Sequence, residues 1–177
     1  MADGQQLKTQ RIYSGRIVKL DLDRVRYPNG REGELEVIRH AGAAAMVPLA
    51  EDGRVLLIRQ YRYAPDEWLY EVPAGTLQPG ESPEACAHRE LVEEAGHSAR
   101  ELVSLGWIWT TPGFTDEKIW LYLARGLQPA QQNLDEDETL TVEPMRFSEA
   151  VAMAERGVMV DAKSCCALLR AAAYLRD

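Results

Sequence analysis

Between Gly75 and His97 the sequence reads GTLQPGESPEACAHRELVEEAGH and gathers Glu81, Arg89, Glu90, Glu93 and Glu94 around one loop and one helix. Positions i and i+4 of a helix lie about 40° apart and one turn along, so Glu90 and Glu94 share a face, with Glu93 beside them. Like charges at that spacing repel, which costs a helix a few tenths of a kcal/mol per pair. Hard divalent cations turn this cost into binding energy, because Mg²⁺ prefers carboxylate oxygens. Arg89 can pair with one carboxylate and hold the set in place. A solvated acidic face is the plain alternative for a bare ExxEE run.

The elements that must carry these residues are legible from local signals. Ser82 is a good helix N-cap, Pro83 suits the first helical position and Gly96 suits the end, so the spacing predicts a helix over Pro83–Ala95. Leu91, Val92 and Ala95 fall on its core side. Upstream, Ala43–Leu49 and Arg54–Tyr61 read as strands around the turn Glu51-Asp52-Gly53, and Trp68–Val72 as a short strand. Downstream, strands are expected at Glu101–Trp109, Lys118–Ala124 and Thr139–Phe147. Gly126–Glu138 reads as a long polar loop. Ser148 is expected to cap a short helix to Arg156, and Ala162–Leu175 to form a last helix. The first forty residues alternate as a three-strand unit, Arg11–Val18, Leu20–Tyr27 and Gly33–His40, with a hairpin turn at Pro28-Asn29-Gly30. The sum is an α+β fold with mixed strands. The expected division is a small N-terminal antiparallel β subdomain (1–40) followed by the main domain (41–177).

The full pattern, Gly75, Glu81, Arg89, Glu90, Leu91, Glu93, Glu94 and Gly96, resembles the Nudix box, G-x₅-E-x₇-R-E-U-x-E-E-x-G-U, with U a bulky apolar residue. His97 departs from the final U. The resemblance implies a Nudix α/β/α sandwich around a mixed sheet and hydrolysis of a nucleoside diphosphate linked to another group. It implies Mg²⁺ as cofactor, with Mn²⁺ as a substitute. By motif correspondence Glu90 and Glu94 are the main metal ligands, Glu93 is an additional one, and Ala74 contributes its backbone carbonyl. Glu81 and Arg89 orient helix and loop.

Nudix enzymes acting on ADP-ribose are similar in three further places. Pro112 comes 16 residues after Gly96, with a Pro-Gly turn between two strands as the plain alternative. The N-terminal β unit resembles one that swaps across a homodimer. The segment GRVLLIRQYRY resembles theirs and makes Arg62 the substrate-contact candidate, with Arg59 competing; an arginine grips phosphate bidentately or stacks on adenine. The water-activating base is expected from the loop Asp135-Glu136-Asp137-Glu138, as Glu136 or then Glu138, with Glu93 the alternative inside the box. Glu117 is expected to touch substrate. GDP-mannose, other nucleoside diphosphate sugars and oxidised nucleotides remain alternative substrates, because the box reads the diphosphate alone. A non-catalytic ADP-ribose sensor is the non-enzymatic reading.

Composition bounds the partners. The chain has 177 residues, 46% hydrophobic and 27% charged, with a net charge of −8. A diffuse negative surface disfavours nucleic acid. No apolar run is long enough for a membrane helix, and the N-terminus lacks a signal-peptide layout, so a soluble cytoplasmic protein is expected. Cys86, Cys165 and Cys166 lack zinc-ligand spacing and read as reduced packing residues.

Overall fold

The structure is a computed structural model that describes residues 3–134 and 139–176. The chain divides into two compact units, residues 1–42 with 109–118, and residues 43–108 with 119–177.

The first unit is an antiparallel sheet of β1 (Gln5–Ser14), β2 (Lys19–Arg26) and β3 (Glu32–Arg39), with β2 central. Asn29-Gly30 closes the second hairpin, where Gly30 adopts φ 82° and its N–H donates to the Tyr27 carbonyl at 2.8 Å. β1 starts and ends earlier than Arg11–Val18. Its polar run from Gln5 pairs with β2 along the backbone and through polar side chains, Arg11 with Asp21 and Gln6 and Thr9 with Asp23, while Gly15 and Val18 close the turn with a 2.8 Å hydrogen bond. Every residue of β1 is exposed. The segment from Trp109 to Lys118 joins this unit through Ile38, whose N–H donates to the Phe114 carbonyl at 2.8 Å. What the unit buries is charge: Asp21 and Asp23 are 6% and 4% exposed. Both are hydrogen-bonded to Arg39, and Asp21 also to Arg11.

The second unit is built on β4 (Ala43–Pro48), all of whose residues are buried. It pairs in parallel with β9 (Lys118–Pro129) and antiparallel with β7 (Ala74–Thr76), giving a mixed sheet of order β7-β4-β9-β8, where β8 is His97–Trp109. β5 (Arg54–Arg62), β6 (Glu67–Glu71) and β10 (Leu140–Arg146) make an antiparallel sheet of order β10-β5-β6. Alternation along β4 divides the core. Ala44 and Met46 meet Cys86, Ala87, Leu91 and Ala95 of α1 (Pro83–Ala95). Ala43, Ala45 and Val47 belong to a second cluster with Ala150 of α2 (Phe147–Glu155) and Ala167, Leu168 and Ala171 of α3 (Ala162–Tyr174). Helices thus cover both faces of a mixed sheet, as an α/β/α sandwich requires.

Three local expectations shift. β7 is an additional strand of three residues, too short to leave a period. β9 continues through a left-handed Gly126 (φ 64°) to Pro129, so the loop after it is shorter than Gly126–Glu138. α2 begins at Phe147 without a side-chain cap, because the Phe147 N–H donates to the Gly53 carbonyl at 3.0 Å. Ser148 therefore lies inside its first turn. Among the described residues no helix is long and apolar enough to cross a membrane.

Candidate active site

Helix α1 forms where its punctuation places it. The Ser82 hydroxyl accepts from the Ala85 N–H at 3.2 Å, Pro83 occupies the first turn, and Gly96 ends the helix in the left-handed region, its N–H donating to the Val92 carbonyl at 3.0 Å. One side of α1 docks on β4. Glu90 and Glu94 are nevertheless only 8% and 2% exposed, so the acidic face is not simply solvated.

Arg89 organises the carboxylates. Its Nε and Nη2 donate to the two oxygens of Glu81 at 2.8 and 2.9 Å, and its Nη1 to Glu90 at 2.6 Å and Glu93 at 2.8 Å. Nη2 also reaches the Thr76 carbonyl at 3.2 Å, tying helix to loop. The hydrogen bonds from Arg89 hold the Glu81 carboxyl down at about 2, against the cost of desolvation. Its bond to Glu81, with those to Glu90 and Glu93, raises the Arg89 guanidinium further above its ordinary value. Burial, with Glu90 adding to it, pushes the Cys86 thiol up to about 12, which keeps it protonated and inert. All three cysteines are free thiols.

The strand before the box meets the helix at close quarters. The Ala74 N–H donates to Glu94 Oε2 at 2.8 Å. A Cβ on Gly75 would lie 1.7 Å from Glu90 Oε1. The space a side chain would fill there holds the end of Glu90, so a larger residue at this position would displace that carboxylate. After β9 the chain returns to the same helix end, where the Asn133 N–H donates to the Glu93 carbonyl at 3.2 Å and Gln132 Nε2 to the Glu94 carbonyl at 2.5 Å.

Ala74, Arg89, Glu90, Glu93 and Glu94 are thus together. Arg62 lies in the same unit, with two 2.7 Å hydrogen bonds to the oxygens of Glu71, and Glu94 is close enough to help hold its charge. Arg59 is instead stacked over Trp68 and Tyr70, 5.7 and 5.9 Å from the ring centroids. Glu117 belongs to the first unit, accepting from the Thr110 hydroxyl at 2.8 Å, 3.6 Å from His40 Nδ1. Pro112 stands in the exposed turn of that segment. Glu136 and Glu138 lie outside the described residues. Sequence reasoning passed over Glu71, whose signal was a carboxylate inside the apolar strand Trp68–Val72.

The donor set suits a hard divalent cation. Glu81, Glu90 and Glu93 share the Arg89 guanidinium, with Glu94 on the Ala74 N–H, and such a concentration of carboxylate oxygen is what Mg²⁺-class ions bind. Among the described residues no three His, Cys, Asp or Glu side chains converge as a ligand cluster. Glu90 and Glu93 are drawn to Arg89 Nη1, so a cation would compete with that guanidinium for their oxygens.

A glutamate-bearing loop and helix against a mixed sheet define the class of an α/β/α domain with a carboxylate-rich loop and helix. Residues 39–167 match the NUDIX domain family, and the chain belongs to it. Members of this family generally use divalent metal cations. The chain is 38% identical over 160 residues to a methanol dehydrogenase activator of Bacillus methanolicus, covering 89% of this chain and 86% of that protein. It is 34% identical over 161 residues to an ADP-ribose pyrophosphatase of Bacillus subtilis (strain 168), covering 90% and 87%. A solved structure of an ADP compounds hydrolase shares the fold, with a TM-score of 0.85 at 23% identity over 99% of this chain and 96% of that one.

Proposed function

We propose that the protein hydrolyses the pyrophosphate of ADP-ribose, giving AMP and ribose 5-phosphate, with Mg²⁺ as cofactor and Mn²⁺ as a substitute. One observation carries the reading: the carboxylates held by Arg89 sit against Gly75, whose missing side chain makes room for Glu90. The likeness to ADP-ribose pyrophosphatases along most of the chain supports the substrate. In this reading Glu90 and Glu94 are the main metal ligands, with Glu93 and the Ala74 carbonyl completing the set. Bound there, the cation neutralises diphosphate charge and lowers the pKa of the attacking water. Arg89 and Glu81 fix the carboxylates. Glu136, Glu138 or Glu93 takes the proton from water. Arg62 holds a phosphate, and Glu117 contacts substrate. Residues 1–40 form the dimerising unit of a cytoplasmic homodimer.

A 36% identical GDP-mannose pyrophosphatase of Cronobacter sakazakii, matched over 146 residues, keeps a second substrate in view. The test is a panel of ADP-ribose, GDP-mannose and other nucleoside diphosphate sugars, with Mg²⁺ or Mn²⁺ and product identification. AMP and ribose 5-phosphate are expected as the main products, and Glu94→Gln should lower kcat by more than about a hundredfold. Faster turnover of GDP-mannose would replace the substrate assignment, and full activity of Glu94→Gln would remove the metal site.

A further inference from the structure

A charged chain outside the box converges on the strand that leads into it. Glu71, the last residue of β6, is 1% exposed. It receives Arg62 Nε on Oε1 and Arg62 Nη2 on Oε2, each at 2.7 Å. Its Oε2 also accepts from Lys163 Nζ of α3, and Lys163 in turn lies 3.0 Å from Asp161. Charges alternate along the row Arg62, Glu71, Lys163, Asp161, so a carboxylate that burial would otherwise protonate stays ionised. Burial alone raises the Glu71 carboxyl, but Arg62 and Lys163 outweigh it and hold the group below its ordinary value.

The same turn of α3 grips the backbone. Asp161 caps the helix by accepting from the Ser164 N–H at 3.0 Å. The Ser164 hydroxyl accepts from the Val72 N–H at 2.8 Å. Val72 is two residues before Ala74. One helical turn, far along the chain from the box, therefore holds both the Arg62 partner and the link that leads into the strand of Ala74 and Gly75.

Arg62 is held by one edge. Nε and Nη2 face Glu71, while Nη1 makes no hydrogen bond among the described residues, and 40% of the side chain is exposed. A guanidinium fixed on one edge by a carboxylate presents the other to an anion with little rotamer entropy left to lose. We infer that Glu71 and Lys163 are positioning residues that fix Arg62 for the substrate diphosphate, so that the first turn of α3 sets substrate affinity. This inference rests on the pyrophosphatase reading. Lys163 matters because it holds the carboxylate plane, keeping both oxygens on the Arg62 edge.

The test uses Arg62→Ala, Glu71→Gln, Lys163→Gln, Lys163→Arg and the double variant Arg62→Ala/Lys163→Gln, with kcat, KM for ADP-ribose and Tm measured on each. Lys163→Gln should raise KM about tenfold, the size of one misplaced charge-assisted contact, with kcat held within about twofold. Lys163→Arg should restore KM. In the Arg62→Ala background Lys163→Gln should add nothing, because both act through one guanidinium. A lowered Tm with unmoved KM, or independent, additive effects on KM, would overturn the inference. An NMR readout separates its failure from that of the proposed function. The Arg62 Nε–H resonance should be protected from solvent in the wild type and lose protection in a further variant, Glu71→Ala, which removes both acceptor oxygens. Persistence of protection in that variant overturns the positioning role whatever the substrate proves to be, whereas a panel without turnover overturns only the pyrophosphatase reading.

Discussion

Two arginines, one in each unit, solve the same problem with different results. Arg89 binds Glu81, Glu90 and Glu93, with Glu94 close by on the same helix. Arg39 binds Asp21, Asp23 and Asp116, and Asp21 has a second cation in Arg11. In the first unit positive charge nearly matches negative, and the cluster stitches strands together. Around Arg89 three carboxylates face one guanidinium, and that concentration of carboxylate oxygen is what a divalent ion would bind. Ionic clustering alone therefore does not mark a reactive centre; the proportion of carboxylates to cations is what differs between the two clusters.

Changes at each cluster should separate the two roles. The largest effect is expected from Gly75→Ala, whose methyl group would take the place of Glu90 Oε1. Displacing that carboxylate by about an ångström should lower kcat on the order of a hundredfold while the protein still folds. Steady-state kinetics with a melting curve reads this, and an active variant would mean that Glu90 is dispensable. Arg39→Met should act oppositely. Stranding Asp21 and Asp23 should lower Tm by roughly 5 °C, while the Mg²⁺ concentration for half-maximal activity stays unchanged. A shifted Mg²⁺ requirement would dissolve the contrast between the clusters. The smallest effect is a pH dependence. Glu81 is held at about 2 by Arg89, below its ordinary 4.5, so it contributes stability above pH 4.5 that is lost as pH falls towards 2. In Arg89→Met that contribution is absent. The Tm gap between wild type and variant should be widest near neutrality and close on acidification; a gap constant with pH would place the stabilising effect of Arg89 elsewhere.

Legibility in the sequence followed distance along the chain. The box could be read because a loop and one helix bring its residues together, and caps fix that helix locally: Ser82, Pro83 and Gly96 lie where the helix starts and stops. The N-terminal sheet was legible from alternation and one Asn-Gly turn, but not the start of β1, whose polar residues pair without an apolar period. The partners of Arg39 and Glu71 were beyond such reading. Arg39 and Asp116 are 77 positions apart, and Lys163 and Glu71 are 92 apart. Only the register of the folded strands and the docking of α3 bring them together. Arg62 was picked out by resemblance, yet the carboxylate that holds it was not.

The alternation of β4 has a consequence for how this domain can change. One six-residue strand forms the wall behind α1 on one side and behind α2 and α3 on the other. Loosening either layer uncovers the same backbone, so the two faces are expected to melt as a single cooperative unit rather than as separate foldons. The enzyme then has little freedom to acquire new specificity by softening the back of the molecule. Evolutionary drift is cheaper in surface turns such as Glu51–Gly53 than in the small residues of that strand.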